Sequence, residues 1–222
     1  MSEVLDRTGA GEAVLYVHGK GGCAEECGHY GPLFPGCGVS GLDYRGNTPW
    51  EAGREIREAV GELGRGGGGV VLVANSIGAF FSLHAGLGGL VRRAYFISPV
   101  VDMEGLILGL MAREGVGEEK LRRRGEVATA GGETLSWEYL GFVRSHPVVW
   151  DVPTRILCGR RDGLVPLASV EAFARRHGAS LTVAEHAGHW FHTEGDMRCL
   201  DDWIRAGEAD PGFGKGDGRW TG

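Results

Sequence analysis

Six short apolar runs, at residues 13–18, 39–44, 70–75, 93–98, 154–159 and 180–185, recur along the chain between glycine-rich or polar breaks. They constrain the fold more than any other feature. A run such as Val70-Val71-Leu72-Val73-Ala74 has no polar face to turn to water, so a strand of this kind must be covered on both sides. Between the runs, apolar residues fall at helical spacing: Ile56, Ala59, Val60 and Leu63, then Val170, Phe173 and Ala174, then Met197, Leu200, Trp203 and Ile204. Strand and helix alternating in this way predict the α/β class, a mostly parallel sheet of about six strands flanked by helices. A length of 222 residues suits one domain over 1–222.

One segment breaks the alternation. The run at 93–98 ends in Ser98-Pro99, and the next strand begins only at residue 154. Connections in such folds are normally short. The patterns Leu106, Ile107, Leu110, Met111 and Tyr139, Phe142, Val143 are helical, so residues 103–150 are expected to form a helical lid with no strand in it. Residues 74–91 read as a buried helix, since Asn75, Ser76, Ser82 and His84 interrupt any membrane span. Residues 207–222 read as a frayed, glycine-rich tail.

A formal charge of −6 excludes the basic face that nucleic-acid binding requires, and Arg122, Arg123 and Arg124 read as a solvated helix face. Residues 1–8 carry Glu3, Asp6 and Arg7 and lack the apolar core of a signal peptide. Five cysteines without an export signal predict free thiols and a cytoplasmic location. Cys23, Cys27 and His29 lack the second ligand pair of a zinc site, so no metal is expected. The glycines at 19, 21 and 22 match neither GxxxxGK[ST] nor GxGxxG with a ribose-binding acid, so no cofactor is expected. Glycine itself is abundant, 41 of 222 residues, and should mark turns and close backbone approaches.

In parallel α/β sheets, chemistry gathers on loops at the carboxyl ends of the strands. Those loops read His18-Gly19-Lys20-Gly21-Gly22, Asn75-Ser76-Ile77-Gly78, Asp102, Gly159-Arg160-Arg161-Asp162-Gly163 and His186-Ala187-Gly188-His189-Trp190. A serine, a carboxylate and a histidine follow in that chain order. A serine hydroxyl is a weak nucleophile that needs a base within hydrogen-bond reach. A carboxylate behind the base sets the imidazole tautomer.

Over residues 12–206 this arrangement resembles the alpha/beta-hydrolase superfamily, whose elbow motif is G-x-S-x-G and whose triad runs Ser, acid, His. Here the elbow is Ala74-Asn75-Ser76-Ile77-Gly78, with alanine replacing the first glycine. The motifs Asp43-Tyr44-Arg45-Gly46 and Ser98-Pro99 also look like the superfamily. The resemblance implies Ser76 as nucleophile, His189 as base with His186 and His192 as alternatives, and Asp162 as acid with Asp102 as the rival. It implies an oxyanion hole from the N–H groups of Lys20 and Ile77, with His18 bracing the loop. The implied function is a serine hydrolase acting on a small-molecule carboxylic ester with a small to medium apolar or aromatic group. Trp190, Trp137 and Met111 are the expected substrate contacts. Peptidase, thioesterase, C–C hydrolase or perhydrolase chemistry, or a non-catalytic ligand-binding role, remain alternatives. Nothing in the sequence sets an oligomeric state.

Overall fold

The computed structural model describes residues 11–214. The amino-terminal segment 1–8 therefore lies outside the described residues. In chain order, β1 (Ala13–Val17) leads through two short 3-10 turns, Ala24–His29 and Gly31–Leu33, to β2 (Gly38–Leu42) and α1 (Pro49–Gly64). Next come β3 (Val70–Asn75), α2 (Ile77–Leu83) and β4 (Val91–Ile97). An insertion follows, with α3 (Met103–Arg113), α4 (Glu118–Arg124), β5 (Glu126–Ala128), β6 (Thr134–Ser136) and α5 (Trp137–Ser145). The chain then returns through β7 (Thr154–Gly159), α6 (Leu167–His177), β8 (Ser180–Ala184) and α7 (Glu194–Ala209).

The six core strands form one parallel sheet in the order β2-β1-β3-β4-β7-β8. Because successive side chains alternate between faces, the apolar runs serve two cores. Leu15, Val17, Leu72, Ala74 and Phe96 face α1, α2 and α6. Val14, Tyr16, Val71, Val73 and Tyr95 face α7 through Leu200, Trp203 and Ile204. The chain leaves β1 toward β2 and then crosses back to β3 on the other side of β1. That reversal opens a crevice at the carboxyl ends of β1 and β3, the usual ligand position in open α/β sheets. Val17 pairs with Ala74, so the loops after both strands emerge side by side.

Three expectations need correction. The segment 74–91 is not one helix: β3 runs to Asn75, α2 ends at Leu83, and Gly86 and Gly89 adopt positive φ in the turns before β4. The 103–150 segment is not purely helical, because β5 and β6 pair as an antiparallel hairpin. Strands of three residues are too short to show a period of two, so sequence alternation could not reveal them. The glycine-rich end is also shorter than expected. Residues 207–209 complete α7, and Phe213 is buried edge-on to Tyr95 with Arg155 over its ring. Residues 215–222 lie outside the described residues.

Candidate active site

The turn from β3 into α2 places Ser76 at the switch-point crevice. Its backbone is forced to φ 52° and ψ −118°, a region costing about 1–3 kcal/mol for a residue with a side chain. Its N–H donates to the Ile97 carbonyl at 2.9 Å and its carbonyl accepts from Val100 N–H at 3.1 Å, which holds the strained turn. Space explains the small residues around it. A Cβ at Gly78 would collide with the His18 carbonyl oxygen and lie 2.8 Å from that of Val17, because α2 starts directly over β1. Ala74 is fully buried, so a methyl is tolerated where the motif has glycine.

Ser76 Oγ lies 2.8 Å from His189 Nε2, and His189 Nδ1 lies 2.8 Å from Asp162 Oδ2. The side chains of His189 and Asp162 are 5% and 3% exposed. A carboxylate only accepts, so Nδ1 carries the proton and donates to it, which leaves the Nε2 lone pair facing the serine hydroxyl. Burial by itself would raise the Asp162 carboxyl. The hydrogen bonds from His189 and from the N–H groups of Val165 and Leu164 outweigh that and hold it below the usual carboxylate range. The acid is thus ionised at neutral pH.

The competing residues stand elsewhere. Asp102 accepts the Gly105 N–H at 2.8 Å and caps α3. His186 is exposed, and exposed His192 turns its Nδ1 to the Trp190 carbonyl. A capping box between Thr193 and Asp196 fixes the N-cap of α7 four residues beyond His189, which sets the length of the histidine loop.

The loop after β1 borders the elbow, with a Cβ at Gly19 lying only 3.2 Å from that of Ser76. Gly22 N–H donates to the Gly19 carbonyl, and Gly21 takes φ 77°. This closes a tight turn whose own hydrogen bond does not use the Lys20 N–H. The Ile77 N–H opens α2, where helical N–H groups have no partner within the helix. His18 stacks on Tyr44 at 4.4 Å and donates from Nδ1 to the Gly19 carbonyl. Tyr44 Oη donates to the His18 carbonyl, and Asp43 Oδ1 accepts the Ala24 N–H. The Asp43-Tyr44 motif therefore braces the loop after β1.

Trp190 is 56% exposed and stands edge-on to His189 at 5.3 Å, lining the adjacent cavity. Met111 and Trp137 are not brought to the triad. Met111 is buried in the insertion's own core with Val116, Leu121, Leu135 and Leu140, and Trp137 packs against that cluster. An insertion this long needs a core of its own, and helical spacing alone does not tell which apolar residues supply it. Two groups near the site went unread in sequence: Glu26, which accepts from Tyr16 Oη at 2.5 Å, and Glu133, which pairs with the Lys20 ammonium. Neither sits in a motif, so spacing carried no signal for them.

An open parallel sheet with a strained serine at its switch point and a histidine-carboxylate pair beside it defines a class that the sequence comparison makes specific. Residues 14–198 match the Alpha/beta hydrolase family, and the chain belongs to it. No curated protein matches the sequence. Similar solved structures include Est1E from Butyrivibrio proteoclasticus, with TM-score 0.69, 16% identity and coverage of 88% of this chain and 86% of that one. Alpha/beta hydrolase domain-containing protein 10 from mouse gives TM-score 0.66, 17% identity and coverage of 87% and 88%. A thermophilic esterase from Thermogutta terrifontis gives 0.57, 18% identity and coverage of 88% and 90%. At these identities the likeness is one of fold.

Proposed function

We propose that the protein is a serine hydrolase that cleaves a carboxylic ester of a small to medium apolar or aromatic group through an acyl-enzyme. The observation that carries this reading is the unbroken relay of two 2.8 Å contacts from Ser76 through His189 to Asp162, built on a strained elbow. Ser76 Oγ attacks the acyl carbonyl while His189 Nε2 takes its proton, and Asp162 stabilises the imidazolium that forms. The oxyanion lies against the N–H groups of Lys20 and Ile77, each such donor lowering the barrier by about 2.7–4 kcal/mol. The C–O bond breaks as His189 returns the proton to the leaving alcohol. Water, deprotonated by His189, then attacks the acyl carbonyl, and His189 gives that proton to Ser76 Oγ as the acyl–O bond breaks, releasing the acid and free Ser76.

The similar fold of a thermophilic esterase supports the ester assignment. We read the 103–150 insertion as the lid of this site, supported by the Lys20–Glu133 ion pair that ties its hairpin to the loop after β1. Among the described residues no helix is long and apolar enough to cross a membrane. The five cysteines are unpaired, which supports a cytoplasmic location.

Fluorophosphonate labelling followed by peptide mass spectrometry tests the nucleophile, and a series of p-nitrophenyl esters of graded acyl length tests the chemistry. The expected result is a single adduct on Ser76 and ester turnover that Ser76→Ala abolishes. Full turnover in Ser76→Ala refutes the nucleophile. Folded protein that takes no label and turns over no ester favours a ligand-binding role.

A further inference from the structure

Beside the triad, on the sheet face covered by α7, lies a cavity of about 480 Å³, a size suited to a small ligand. Gly19, Lys20 and Asn75 line it, and Gly19 and Asn75 border Ser76, so its occupant rests against the loop that carries one of the candidate oxyanion donors, Lys20. Two of the basic groups on its wall are already engaged. The Lys20 ammonium pairs with Glu133, and His29 Nε2 lies 2.8 Å from Asp201 Oδ1. Glu26 differs. Its carboxylate accepts from buried Tyr16 Oη at 2.5 Å, and no cationic side chain among the described residues lies within ion-pair distance of it. Burial and the neighbouring Tyr30 and Glu26 push the Tyr16 phenol well above its ordinary range, so the phenol keeps its proton and remains the donor. A carboxylate offers about four acceptor positions, and Tyr16 occupies one. The cavity thus holds a negatively charged acceptor with capacity to spare, next to the reacting centre.

We propose that this cavity receives a part of the substrate bearing a hydrogen-bond donor, a hydroxyl or an ammonium group, and that Glu26 recognises that donor. This deepens the esterase reading and rests on it for the placement of the scissile bond. The preference itself belongs to binding. A methyl in the same place leaves the carboxylate's spare acceptor positions unfilled, and a carboxylate there meets like charge. Glu26 is solvent-exposed, which puts the discrimination at the low end for a charged acceptor, about tenfold.

The test uses the full chain and two series of aryl or alkyl esters of equal length, ending in methyl, hydroxyl, ammonium or carboxylate on the acyl side or on the alcohol side. kcat/KM is measured for the wild type and for Glu26→Gln, and binding of the same esters to Ser76→Ala is measured by calorimetry. The expected result, in one series, is hydroxyl and ammonium favoured over methyl by about tenfold, carboxylate poorest, and the preference largely lost in Glu26→Gln. Preference for ammonium alone, lost in the same variant, supports Glu26 and narrows the ligand to cations. Equal binding of all four ends in both series overturns the proposal. So does a Glu26→Gln variant that slows every ester by the same factor, the result expected of a residue that merely supports the loop. Donor preference in binding without hydrolysis of any ester overturns the esterase reading and leaves this one standing.

Discussion

Gly159→Ala is the substitution whose consequence the structure specifies best. Gly159 ends β7, directly beneath the loop that presents His189. A Cβ there would lie 2.6 Å from the Ala187 carbonyl carbon and closer still to the carbonyl oxygens of Ala187 and Gly188. All three obstacles are backbone, so no side chain can rotate away. Restoring ordinary contact requires the histidine loop to retreat by about 1 Å. His189 follows Gly188 directly, and its contacts to Ser76 and Asp162 are 2.8 Å. Lengthened by about 1 Å, neither is a hydrogen bond any longer. The expected loss is about 10²-fold in kcat, together with about 1–3 kcal/mol of stability from overpacking. Ester turnover, fluorophosphonate labelling and urea denaturation are measured on the same folded samples. Gly141→Ala is the control. Gly141 lies in α5 with nothing within 4 Å of an added Cβ, so this variant should gain about 0.5–1 kcal/mol and keep its turnover. A Gly159→Ala variant with wild-type kcat and labelling rate would show that the histidine loop does not set the triad geometry.

Other outcomes follow from the electrostatics. Asp162→Asn should lose about 10⁴-fold in kcat, because an amide no longer selects the productive imidazole tautomer. The Asp162 carboxyl is lowered in the folded chain, so its stabilisation is present above the unfolded value of about 3.9 and vanishes as pH falls through the folded one. The stability gap between wild type and Asp162→Asn, read from urea midpoints, should therefore close in acid, and a gap that widens there refutes the assignment. His84 is pushed down to about 4 by burial and by nearby His146, while it packs against Phe80 and Phe142 between α2 and α5. The unfolded chain then binds the extra proton, so stability should fall as pH drops from about 6.5, and His84→Phe should flatten that slope. Arg93, 2% exposed, makes paired hydrogen bonds to both Glu12 and Glu208. Arg93→Ala removes the paired guanidinium bonds from two partly buried carboxylates, leaving Glu12 with Arg92 and Glu208 with Tyr95, and should cost about 3 kcal/mol in denaturant unfolding; a loss under about 1 kcal/mol would mean that water replaces the guanidinium.

The parts of this protein visible in sequence are those set by short-range pattern. Apolar runs too continuous for a half-exposed strand require cover on both faces, and their alternation with helical spacing leads to a parallel sheet before any contact is known. The chain order of serine, acid and histidine was legible because strand ends place chemistry, and strand ends are marked locally. The hairpin in the insertion escaped notice because three residues cannot display a period. The packing of Met111 in the insertion's own core was not legible, because an apolar helix face looks the same whether it turns to a substrate or to such a core.

Tertiary structure decided everything that joins distant positions. Ser76 and His189 are 113 residues apart, as are Lys20 and Glu133. Three histidines lie within seven positions, and resemblance alone favours His189 among them; the path of the loop over Gly159, stopped by the Thr193 cap, is what turns His189 inward and leaves His186 and His192 in solvent. Glu26 is a similar case. In sequence it is one of many surface carboxylates, and the role proposed for it exists only where folding sets it on Tyr16 in a cavity that Gly19 and Asn75 also line, because charge and shape act through space and not along the chain.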